Sequence, residues 1–109
     1  MKMGWFYLLL AGICEIGWPF GLKMAQLSAT NRFWWIISAV LAMAVSGVLL
    51  YLAQKTIAMG TAYAVWTGIG AVGAFILGIL YFKDPVGMLR IVSVMLIVLG
   101  LVGLKLAPA

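Results

Sequence analysis

Four apolar runs, each near the length of a membrane-crossing helix, take up almost the whole chain: residues 3–22, 33–53, 57–82 and 86–106. A helix needs about 20 apolar residues to cross a bilayer core. The connections are short, at residues 23–32, 54–56 and 83–85, and Pro85 suits the first turn of the fourth helix. Of the 109 residues, 67% are hydrophobic, against about 45–50% in soluble domains. A soluble fold of this size cannot hide that surface in its core, so a bilayer must take it. The first run reads as a retained span, because no polar region with a small-residue cleavage site follows it. The expected fold is therefore an all-α membrane protein: one domain, residues 1–109, of four transmembrane helices with no soluble part left over.

Composition removes several kinds of chemistry. There is no His and a single Cys, Cys14, so imidazole chemistry, an internal disulfide and a cysteine metal cluster are excluded. No metal or cofactor site is expected, and the chain does not read as an enzyme. The net charge of +5 does not point to nucleic acid, since the seven basic residues are scattered singly at the ends of the apolar runs. With four spans, Lys2, Lys55 and Lys105 fall on one side of the membrane. Lys23, Arg32, Lys83 and Arg90 fall on the other. Three against four leaves the positive-inside rule almost nothing to act on, which predicts insertion in both orientations.

Glu15 is one of two acidic residues in the chain and lies inside the first run. It is about twelve residues in, or about 18 Å along a helix, close to mid-membrane. A charge there costs about 2.5–3.5 kcal/mol on insertion scales. Either the carboxyl is kept protonated or paired, or it binds a cation or carries a proton. Nothing basic lies within two turns on its own helix, Lys23 being eight residues on. Its helical neighbours at three and four residues are Ala11, Gly12, Trp18 and Pro19. The small pair lets another helix approach. Trp18 offers an aromatic face and an indole N–H. Pro19 lacks the N–H that would bond the Glu15 carbonyl.

The third run contains GTAYAVWTGIGAVGA at residues 60–74. Gly68, Gly70 and Gly73 spell the dinucleotide-binding pattern G-x-G-x-x-G, but no strand, soluble βαβ unit or downstream acid accompanies it. The glycines read as a surface for helix packing and bending. Tyr63 and Trp66 share a face, continued by Thr67 and Gly70. In the second run Met43 and Ser46 are similarly spaced, with Gly47 beside them. Each fits plain core packing when taken singly. Together they supply hydroxyl and indole donors to a region with few other polar groups.

On these residues the chain resembles the small multidrug resistance family over essentially its full length. Glu15-Ile16-Gly17-Trp18 followed by Leu22-Lys23, the TAYAVWTGIGAVGA segment and the closing GLKL resemble its guanidinium-exporter subtype. The resemblance implies a secondary active transporter of the bacterial inner membrane, an antiparallel homodimer exchanging protons for guanidinium ion. By matching position, Glu15 is the shared proton and substrate site. Trp18, Ser46, Tyr63 and Trp66 are its hydrogen-bonding neighbours, and Met43 lines the pocket. Two stretches depart from the family pattern. Pro19-Phe20 replaces small or aliphatic residues, and residues 24–31 lack the usual Gly-Phe-Ser/Thr before the Arg. These leave open a preference for substituted guanidiniums, or a role as half of a heterodimer.

Physical reasoning runs the same way. One such chain has too few helices and acids to enclose a cation, whereas two oppositely inserted copies make an inverted repeat. Guanidinium is planar and meets a carboxylate through two N–H groups. Protons and guanidinium then compete for the Glu15 pair, and the indole and hydroxyl donors are expected to orient its carboxylates. The alternatives are a quaternary-ammonium exporter of the same family, a dual-topology channel for a small anion, and a subunit with no transport of its own. The donors argue against the first, and Glu15 against the other two.

Overall fold

The computed structural model describes residues 2–108, which form four helices: α1 (Lys2–Leu27), α2 (Arg32–Ala53), α3 (Met59–Phe82) and α4 (Met88–Leu106). All four are long and apolar enough to cross a membrane. Helix is the form that satisfies every backbone N–H and C=O within one segment, as hydrocarbon demands.

The helix ends depart from the apolar runs by a few residues, and the loops explain each departure. α1 continues past Leu22 to Leu27 because polar groups of the loop meet its end. Arg32 Nε donates to the Ala25 carbonyl at 3.2 Å, and the Asn31 N–H donates to Ser28 Oγ at 3.0 Å. α3 begins at Met59 rather than residue 57, since the Ile57 N–H still returns to the Ala53 carbonyl at 3.1 Å. Pro85 does not open a helix. α3 ends in a left-handed turn at Lys83 (φ 58°), with the Asp84 N–H bonded to the Gly78 carbonyl at 2.9 Å. Pro85 follows that turn in non-helical chain, where proline commonly stops a helix, and α4 starts at Met88.

α1 is the axis of the arrangement. Its backbone runs beside α2 and α3, which barely meet each other, and α4 lies along α3. The result is a layer measuring 48 × 35 × 16 Å. Its radius of gyration is 15.0 Å, against about 13 Å for a compact 100-residue domain. A layer has little interior. The buried core is Leu8, Ala53, Ile57, Ala62 and Val65, with Trp66, Ile69 and Leu101 among the residues packed on it. α4 buries no residue at all. At the far end of α1, Phe20 binds three neighbours together. Its ring centroid lies 6.0 Å from Trp35 of α2, and 5.4 and 5.7 Å from Tyr81 and Phe82 of α3.

Candidate functional site

Glu15 lies on the face of α1 that packs against α3, and the packing is possible because residue 70 is glycine. A Cβ built at Gly70 would stand 2.6 Å from Glu15 Cγ. The neighbouring turns use the same device. A Cβ at Gly12 would meet Ile69 Cβ at 2.7 Å, and one at Gly73 would overlap Ile16. Gly68 belongs to the other seam, where a Cβ would stand 2.6 Å from Leu101 Cδ2 of α4. Small residues thus bring α1 and α3 close enough to press a carboxylate side chain between them.

That carboxylate is incompletely satisfied. Glu15 Oε1 is buried with no hydrogen-bond partner, and so is the indole Nε1 of Trp18, one turn on. An unpaired buried acceptor or donor costs about 1–3 kcal/mol. Pro19, within α1, removes the N–H that would have bonded the Glu15 carbonyl. This short stretch of helix therefore has two acceptors and one donor short of their usual partners.

Ser46 and Trp66 are brought to the same region but do not serve the carboxylate. Ser46 is fully buried. Its hydroxyl donates to the Ala11 carbonyl at 2.7 Å and accepts the Trp66 Nε1–H, also at 2.7 Å. The chain Trp66–Ser46–Ala11 ties α3, α2 and α1 together one turn before Glu15. Within one copy, the Ser46 hydroxyl and the Trp66 indole are spent on this chain of bonds and not on Glu15. A serine has one proton to give, and here a backbone carbonyl of α1 takes it. In the sequence Ala11 is legible only as a small residue. Its role as an acceptor depends on which carbonyl α2 faces, and no residue type signals that.

The remaining candidates lie at the surface of the chain. Tyr63 is 55% exposed and Met43 44%. The Tyr63 ring packs at 5.4 Å from Trp66, tilted by 48°. Thr67 is withdrawn from any donor set, because its hydroxyl returns to the Tyr63 carbonyl at 2.7 Å. Gly47, beside Ser46, has open space where a side chain would be. One wall of a polar site is therefore built from α1 and α3, while Met43, Tyr63 and Gly47 remain uncovered.

Residues 3–97 match the family described as Small Multidrug Resistance protein. The Guanidinium exporter of Escherichia coli (strain K12) is 47% identical over 105 residues, covering 96% of this chain and 98% of that protein. The Guanidinium exporters of Salmonella typhimurium and Yersinia pestis are also 47% identical over 105 residues, 96% of this chain, and are covered to 98% and 99%.

Proposed function

The chain belongs to the Small Multidrug Resistance family, and from that premise we propose that it exports guanidinium ion and small substituted guanidiniums in exchange for protons. It does so across a bacterial inner membrane, as two copies inserted antiparallel. The observation that carries this reading is the pair of unpaired polar groups one turn apart on α1, Glu15 Oε1 and Trp18 Nε1. A carboxylate oxygen with no protein donor can take either a proton or a cation N–H. Guanidinium brings two N–H groups in one plane, matched to the two oxygens of a carboxylate. Because both ligands use Glu15, loading one expels the other, and that competition couples inward proton flow to outward substrate flow. The near-full-length identity to proteins named guanidinium exporters supports the substrate.

The layered shape of the chain supports the second copy. A single layer presents its polar wall without a lid, and an oppositely inserted copy supplies one together with a second Glu15. Met43, Tyr63 and the open surface at Gly47 are then available to close the pocket.

The test is guanidinium uptake by liposomes carrying the purified protein under an imposed pH gradient. Wild type is expected to move guanidinium against protons. Glu15→Gln is expected to insert and dimerise but to move neither. Proton movement driven by guanidinium in that variant sinks the mechanism. A wild-type preference for tetrapropylammonium would instead support the multidrug reading.

A further inference from the structure

Where α1 begins and α4 ends, the surface opens into a cavity of about 480 Å³. Trp5, Thr56, Thr61 and Lys105 line it, over a floor that includes Ile57 and Leu104. The Lys105 ammonium stands 4.6 Å from the centroid of the Trp5 ring. Beside it lies a second space of about 280 Å³, a groove lined by Leu9, Val65, Ile69 and Leu101. Trp5 and Lys105 line both, so the cavity and the groove adjoin.

Three features define what fits there. The first is the state of the hydroxyls. Ser38, Thr67 and Ser93 each donate to a carbonyl of their own helix, and Ser46 donates to Ala11. Thr56 and Thr61 make no such bond among the described residues, and both line the cavity. The second is charge. Lys55 and Lys105 belong to this end of the molecule, while the two acids lie elsewhere, Glu15 within α1 and Asp84 at the opposite end after α3. The third is order: a cationic, hydroxyl-lined cavity at the helix ends leads into an apolar groove along the helices. That is the sequence of headgroup and tail in a bilayer leaflet.

We propose that this is a binding site for one anionic phospholipid. Its phosphate lies between the Lys105 ammonium and the Thr56 and Thr61 hydroxyls, as basic pockets between membrane helices hold such headgroups. Trp5 borders the headgroup region, the level at which tryptophan concentrates in membrane proteins. One acyl chain runs down the groove between α1, α3 and α4. Inorganic phosphate has the same headgroup chemistry but leaves the groove empty. A second copy of the chain would fill the groove but leave the hydroxyls and Lys105 without an anion.

Native mass spectrometry of the full chain in mild detergent, together with thermal unfolding, tests this without reference to transport. Phosphatidylglycerol is expected to remain bound and raise the unfolding temperature, while phosphatidylcholine and millimolar phosphate do neither. Lys105→Gln should reduce retained phosphatidylglycerol about tenfold, in line with losing one charge-assisted hydrogen bond, and Lys105→Arg should retain it. If Lys105→Gln does not fold, the pair Thr56→Val and Thr61→Val takes its place with the same expected direction. Equal retention of the two lipids, displacement by phosphate, or retention unchanged by these substitutions overturns the site. So does a photoreactive group at Leu9 that labels a second copy instead of lipid.

Discussion

Glu15 depends on what its neighbours lack. Gly70 lacks a side chain, Pro19 lacks an N–H, and Ser46 has given its one proton to Ala11. Gly70→Ala puts a methyl group into space that Glu15 Cγ occupies and forces the carboxylate to a new rotamer. Guanidinium affinity should fall by about two- to tenfold, the roughly 0.5–1.5 kcal/mol cost of a side chain pushed off its rotamer, with helix content unchanged. Calorimetric titration checks this, and an unaltered affinity would mean that the carboxylate binds from another rotamer. Ser46→Ala leaves the buried Trp66 N–H without its partner, at about 1–3 kcal/mol, while the Ala11 carbonyl keeps its bond within α1. Unfolding temperature and guanidinium transport should therefore fall together. If transport falls while the unfolding temperature holds, Ser46 acts on Glu15 itself and not through the helix seam.

At the scale of the elements, α1 is held at two levels by different means. Near Glu15 the helices approach through glycine and alanine, and a hydrogen-bond chain crosses all three. Near its far end Gly21 still lets α2 approach at Ala39, and Phe20 adds rings to that approach, touching Trp35, Tyr81 and Phe82. Such aromatic pairs contribute about 0.5–1.5 kcal/mol each beyond their buried area. Phe20→Ala should lower the unfolding temperature clearly while leaving guanidinium affinity within about twofold, since the rings lie more than one turn beyond Glu15. Thermal unfolding and binding measured on the same sample separate the two effects. A loss of affinity at unchanged stability would show that this aromatic end belongs to the transport path.

The whole molecule is a layer whose fourth helix buries nothing, so what covers it is supplied from outside. Lipid covers an apolar face, but a polar wall needs protein or solvent. The near-even basic count across the two sides permits a second copy to arrive inverted. Tags at the C-terminus should accordingly report both sides of the membrane in one population of cells. Two lysines added after Ala107 should move the C-terminus toward the cytoplasm. A single orientation for the unaltered chain would replace the homodimer with a pair of different subunits.

Four helices, their short connections and the singular position of Glu15 were legible in the sequence, because membrane thickness and the cost of a buried charge act on composition and length alone. The small residues beside Glu15 were legible too, as a surface for close approach. Tertiary structure decided which helix used which glycine. It set Glu15 over Gly70, turned Gly68 toward α4, and gave the Ser46 proton to a carbonyl. The start of α4 at Met88 was also its decision, since the left-handed turn at Lys83 carries Pro85 past the point where a helix would begin. Side-chain identity states how many hydrogen bonds a residue has to offer. Only the rotation and spacing of packed helices determine which groups lie within 3 Å to accept them.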